Sequence, residues 1–318
     1  MAEKEKELLL IALGGNALVE SGKKGTISDH LKSIQSTCDV LVPLFENDYD
    51  IVITHGNGPQ VGNILIQNEE TAEKVPSMPL DVCVAESQGE IGYLLQQTLK
   101  NKFKEKNIKK DVVTLITQVL VDKNDIAFEK PSKPVGPYYT QEQAQSLIKH
   151  KKWTMHEDPS GKGFRRVVPS PKPAHILETR VIRQLLLLDQ IPIAVGGGGI
   201  PVYMSKDNSI IGVEAVIDKD LASAQLAIEI KADKFIILTN VKQCYLNYKK
   251  RTQVPISDMN LDEAHTYLDQ GQFSSGSMGP KVQAAIEYIT NGGKEAYITD
   301  IKNIQATIDK ESGTFIHH

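Results

Sequence analysis

Two lysines, Lys219 and Lys281, are where the chemistry of this chain can be built. Each stands at the start of a helix-forming stretch, where a cation opposes the helix dipole by up to about 1 kcal/mol. A bound polyphosphate would reverse that penalty. Lys219 is flanked by Asp218 and Asp220, so one carboxylate is available to cap the helix. Four glycine-bearing loops accompany the lysines: Gly14-Gly15-Asn16, Gly56-Asn57-Gly58-Pro59, Gly196-Gly197-Gly198-Gly199 and Gly276-Ser277-Met278-Gly279-Pro280. Residues without side chains let backbone amides approach an oxyanion closely, and a helix N-terminus adds to the attraction. Phosphoryl transfer asks for little else, because its transition state is stabilised by positioning and by cations on the moving oxygens. An acceptor that is already an anion needs no general base. No persuasive base is present: His55, at the end of the second apolar run, reads as a packed or hydrogen-bonded residue. Taken singly, each glycine loop reads equally as a tight turn and each lysine as a solvated charge.

Other chemistries lack their signatures. No third glycine follows Gly14-Gly15 at dinucleotide spacing, no Gly-Lys-Ser/Thr ending marks a P-loop, and no Gly-Xaa-Ser-Xaa-Gly elbow supports a serine hydrolase. The eight histidines show no metal-ligand spacing. Any Mg²⁺ is therefore expected to arrive with the nucleotide rather than in a built-in site.

The elements that must hold these residues alternate from one end of the chain to the other. Apolar runs at 8–13, 50–54, 111–117, 191–195, 234–239, 295–299 and 313–316 read as strands. Helical periods fill 28–45, 60–68, 81–104, 178–189, 219–231, 280–291 and 301–310. This is the pattern of an α/β fold with a parallel sheet covered on both faces. Between Pro131 and Pro173 lie a dense run of prolines and the single tryptophan, Trp153. That stretch reads as an inserted subdomain, with a stem pairing 119–121 with 166–168. Lys133, stiffened between Pro131 and Pro134, makes the insert a candidate lid. At 318 residues the chain can bury a large core, and a net charge of -4 gives no field for nucleic acid or an anionic membrane. Three scattered cysteines, Cys38, Cys83 and Cys244, fit a reducing compartment, and no apolar run is long enough to span a membrane. A cytoplasmic protein is expected.

Seven stretches, in order, resemble the carbamate kinases of the amino acid kinase superfamily: IALGGNAL at 11–18, HGNGPQVGN at 55–63, KPVGP at 133–137, RRVVPSPKP at 165–173, VGGGGIPV at 195–202, EAVIDKDLAS at 214–223 and GSMGPKVQAA at 276–285. The resemblance implies a three-layer αβα sandwich around an open, mainly parallel sheet of about eight strands, with a small protruding lid subdomain at about 119–173. It implies a single domain over 1–318, whose first half, to about 190, takes carbamate or carbamoyl phosphate and whose second half takes ATP or ADP with Mg²⁺, in a homodimer. It implies reversible transfer between ATP and carbamate, used to make ATP from arginine or agmatine breakdown. By the same motifs, Lys219 and Lys281 would embrace the transferring phosphoryl group, Asp220 would orient them, and Lys133 would reach in from the lid. Gly14, Gly15, Asn16, Gly56 and Asn57 would cradle the anion, while Gly196, Gly197, Tyr245, Met278 and Lys281 would serve the nucleotide. Other branches of the superfamily usually carry a lysine just before the first glycine pair. Here that place reads Ile11-Ala12-Leu13, and Lys219 is the natural replacement. Asn240 stands where the family more often has Asp. Rival readings are an acetylglutamate or nucleoside monophosphate kinase, a silent nucleotide sensor and, weakest, a nicotinamide-dependent oxidoreductase.

Overall fold

Period-two patterning explains the centre of the molecule. In the strand Glu7–Leu13 (β1), Leu10 and Ala12 face one side, Leu9, Ile11 and Leu13 the other, and all five are fully buried. A strand buried on both faces must lie inside a sandwich. In the computed structural model, which describes residues 6–19, 25–158, 161–274 and 276–318, β1 is central in an eight-stranded sheet. The other strands are Tyr49–His55 (β2), Val112–Thr114 (β3), Ile191–Ile193 (β4), Lys234–Thr239 (β5), Asp258–Asn260 (β6), Glu295–Asp300 (β7) and Thr314–His317 (β8). Their order is β6-β8-β7-β5-β1-β2-β4-β3, parallel except where β8 runs against β7 and β6 follows β8.

Helices cover both faces. Ile27–Glu46 (α1) and Leu80–Lys106 (α3) pack on Leu9, Ile11 and Ile53, while Lys219–Ile230 (α4) and Met278–Thr290 (α5) pack on Leu10, Val52 and Ile237. A shorter helix, Gly58–Glu70 (α2), lies over a third apolar cluster that includes Val135, Val168 and Ile200. All three cysteines are free and buried; burial pushes the Cys38 thiol up to about 12, so it packs rather than reacts.

The insert carries its own three-stranded antiparallel sheet, Lys133–Tyr139, Phe164–Val168 and Thr154–Glu157, with the helix Gln141–Lys151. The expected stem is corrected. Gln118–Val121 pairs with Pro173–Ile176, Val119 opposite Ile176, and also with Ile200–Met204 in a four-stranded sheet. Arg166–Val168 pairs instead with Lys133–Val135, inside the insert. Pro169 and Pro171 separate the two segments, and proline cannot continue a central ladder. The strand read at 111–117 shortens to Val112–Thr114, and the helix read at 301–310 becomes a 3₁₀ turn followed by Ile304–Ile308.

Because β1, β2 and β4 are parallel neighbours, their C-terminal ends deliver three glycine loops side by side, with Ala12 opposite Thr54 and Ile53 opposite Ile193. Ligands gather at this edge of an open parallel sheet.

Candidate active site

Asp218 begins the site from the backbone. Its Oδ1 accepts the amides of Asp220 at 2.9 Å and Leu221 at 3.4 Å, capping α4 and fixing where the next two side chains leave the helix. Asp220 is 3% exposed. Its Oδ1 accepts from Lys219 Nζ at 2.5 Å and its Oδ2 from Lys281 Nζ at 2.8 Å, so one carboxylate bridges two helix starts. Burial alone would raise this carboxyl, but the two ammoniums outweigh it and hold Asp220 far below the ordinary carboxylate range. Burial lowers the Lys219 ammonium from its ordinary value, opposed by Asp220 and reinforced by Lys281. Lys133, first residue of the lid sheet, donates to Asp218 Oδ2 at 2.7 Å. The result is an alternating row of charges, Lys133, Asp218, Lys219, Asp220, Lys281, with cations at both ends.

The glycine loops close around this row. A Cβ on Gly56 would stand 3.3 Å from Lys219 Cδ, and one on Gly14 would fall 2.6 Å from the Leu238 carbonyl oxygen at the end of β5. Gly15 has open space around it. Asn57 is held from behind, its Nδ2 donating to Ser87 Oγ of α3 at 2.8 Å. The Asn16 side chain lies outside the described residues. Gly196 and Gly197 sit against His55 and Asn57; Gly197 has φ +67°, and a Cβ there would fall 2.1 Å from Asn57 Nδ2.

On the far side of Lys281 is a cavity of about 650 Å³, lined by Tyr245, Met278, Thr239, Asn240, Phe273 and Ser277 among others. Met278 starts the helix that carries Lys281, one turn before it, and Lys281 itself is not among the lining residues. Gly196 and Gly197 are not among its lining residues. The structure thus joins Lys133, Lys219, Asp220, Lys281 and Gly56 in one contact network. Tyr245 and Met278 stand together on the cavity beside it. Sequence reasoning missed Asp218 as the anchor of Lys133, since 85 residues separate them and only the capping role is legible locally. Ser87, behind Asn57, carried no signal at all.

His55 is 1% exposed, and its Nδ1 pairs with the Gly56 carbonyl at 2.9 Å. Burial pushes its pKa from 6.5 down to about 4, the carbonyl opposing only in part. It is neutral near pH 7, its Nδ1–H donating to that carbonyl, and no imidazolium is there to act as an acid. The unfolded chain takes up this proton as pH falls through about 6.5, whereas the folded chain waits until about 4. Stability from this group is therefore intact above about 6.5 and is lost below it, by about 2 kcal/mol between about pH 7 and pH 5. Urea unfolding at the two pH values should show a steeper loss in wild type than in His55→Gln; equal losses would contradict the buried neutral ring.

Among the described residues, no group of three or more His, Cys, Asp or Glu could hold a metal ion. Among the same residues, no helix is long and apolar enough to cross a membrane.

Residues 7–300 match the amino acid kinase family model. A carbamate kinase from Pyrococcus horikoshii is 45% identical over 310 residues, which cover 97% of this chain and 98% of that protein. Carbamate kinase 2 from Enterococcus faecalis is 43% identical, covering 97% and 98% respectively. Among solved structures, carbamate kinase from Giardia lamblia bound to AMP-PNP is similar with a TM-score of 0.92 and 40% identity, over 98% of each chain.

Proposed function

The chain belongs to the carbamate kinases of the amino acid kinase family and is a phosphotransferase; from that premise we propose that it moves a phosphoryl group reversibly between ATP and carbamate, through Lys219 and Lys281. The observation that carries this reading is the Asp220 bridge, which holds two ammoniums on one buried carboxylate beside the Gly56 loop.

In the direction of ATP formation, a terminal oxygen of ADP attacks the phosphorus of carbamoyl phosphate. The new P–O bond forms as the bond to the carbamate oxygen breaks, and the electron pair leaves on that oxygen as a resonance-stabilised carbamate. No proton moves, which suits a site whose histidine is buried and neutral. Lys219 and Lys281 meet the charge on the equatorial and leaving oxygens, where preorganised cations in a dry site count most. The loops at Gly14, Gly15 and Asn16 and at Gly56 and Asn57 hold the carbamoyl side, within the first half of the chain. Tyr245 and Met278 hold the base from the second half, with Gly196 and Gly197 backing the loops between. Mg²⁺ bound with the nucleotide would neutralise phosphate charge. Both Asp220 oxygens are taken by lysines, and Asp218 by Lys133 and two amides, so these two carboxylates serve the lysines and the helix start.

Kinship with the carbamate kinases also supports a cytoplasmic homodimer that makes ATP from arginine or agmatine breakdown. Lys133→Ala should lower turnover by about tenfold or more with ADP affinity nearly unchanged, because Lys133 belongs to the lid and not to the cavity. Unchanged turnover would make the lid lysine ornamental. The function itself is tested by offering carbamoyl phosphate, N-acetylglutamyl phosphate and UDP as phosphoryl donors to ADP. ATP should form from the first alone, and preference for either of the others would overturn the reading.

A further inference from the structure

Gln60 is the third residue of α2, one turn after Gly56 and Asn57. A glutamine in this position commonly turns back and accepts the backbone N–H of the residue capping its helix. Gln60 makes no such bond: the residue is 1% exposed, and its Oε1 has no hydrogen-bond partner. An acceptor left dry and unpaired costs about 1–3 kcal/mol. The sequence spends that stability at the rim of the reacting centre.

Position says what the acceptor is for. Helical side chains lean towards the N-terminus, so Gln60 leans back towards the end of α2 that Gly56 and Asn57 precede. Gly56 abuts the Lys219 side chain, where a Cβ would be 3.3 Å from Cδ. Gly62, two residues beyond Gln60, abuts Gly136 of the lid strand, where a Cβ would be 3.6 Å from Cα. In sequence, Gln60 thus lies between a residue that abuts the Lys219 side chain and one that abuts the strand beginning at Lys133. The other groups assigned to the substrate there are mostly donors, three ammoniums and the loop amides; Asn57, whose Nδ2 is turned to Ser87, offers one more acceptor. The donors suit oxygens. Carbamate also carries an amino group, two donors that need an acceptor, and this is what separates it from acetate, its methyl isostere.

We propose that Gln60 Oε1 accepts a hydrogen bond from the carbamate nitrogen and makes the site choose an amino-bearing acyl phosphate over a methyl-bearing one. The proposal rests on carbamate being the acceptor.

The test is the ratio of kcat/KM for carbamoyl phosphate to that for acetyl phosphate, with ADP, in wild type, Gln60→Met and Gln60→Glu. A ratio does not depend on how much of each sample is folded. Gln60→Met keeps the length and loses the acceptor. Its ratio should fall by about tenfold or more, through a higher KM for carbamoyl phosphate and with acetyl phosphate unchanged or improved. Gln60→Glu, which keeps an acceptor, should stay within about threefold of wild type. A Gln60→Met ratio within about twofold of a wild type that prefers carbamoyl phosphate would overturn the inference alone. A wild type that uses neither acyl phosphate would overturn the reading of the site as well.

Discussion

Replacing Asp220 by Asn should destabilise the free protein by about 3 kcal/mol and make its stability depend unusually strongly on nucleotide. The carboxylate is 3% exposed and is the shared partner of two ammoniums, at 2.5 and 2.8 Å. Removing one partner of a buried ionic cluster leaves uncompensated charge, which costs about 3–5 kcal/mol. Asn can accept from one lysine only and turns an amide donor towards the other. The same substitution makes the site more positive, so ADP should bind the variant more tightly and recover much of the loss. Bound ligand adds stability in proportion to the logarithm of its occupancy ratio. Thermal unfolding with and without ADP therefore reads both effects: a lower Tm for the free variant and a larger upward shift on adding ADP. A variant as stable as wild type, with an ordinary ADP shift, would mean that Asp220 does not bind the two lysines together.

Replacing Lys219 or Lys281 by Met should lower turnover by about 10²-fold or more while leaving the fold intact. The two variants are not equivalent. Lys219 arises from the first residue of α4, its stem lies against Gly56, and its ammonium is lowered by burial. Methionine fills the same volume there without the charge, so packing against the loop survives. Lys281 arises from the first turn of α5, one turn from Met278 at the mouth of the cavity. Its loss should weaken ADP binding modestly as well as slow transfer. Each variant leaves Asp220 with one cation instead of two, and the remaining lysine is drawn towards it. The double variant should therefore cost less than the product of the two single losses, as groups that act as a unit do.

Much of this centre was legible in the sequence because it is built from local signals. Apolar runs ending in glycine located β1, β2 and β4, and an apolar run alone located β5. Asp218 before Lys219 and Pro280 before Lys281 marked helix starts, and the lysines stood out because they oppose the dipoles there. Parts that depend on distant pairing were not legible. The stem of the lid was misread because residues 119–121 and 166–168 are both short and β-prone, and alternation cannot say which partner a strand takes. Ile200–Met204, Ile210–Gly212 and the hairpin Cys244–Leu246 with Val254–Ile256 are too short or too mixed to rise above their loops. The ion pair between Lys133 and Asp218 links the lid to the capping residue of α4. No window of sequence contains both. Gln60 looked like one more polar residue in a helix, and only its burial without a partner sets it apart.

In the proposed function, the reaction lies at the bridge Lys219–Asp220–Lys281 and the nucleotide in the cavity beside α5. Binding and transfer are thereby assigned to different residues, and the two can be separated on one sample. ADP is titrated into wild type and Lys219→Met, and the ADP-bound proteins are then mixed with carbamoyl phosphate for a single turnover. ADP affinity should agree within about tenfold, and the rate of ATP formation in the variant should fall by about 10²-fold or more. A transfer rate within about tenfold of wild type would contradict the assignment of the phosphoryl group to this lysine bridge.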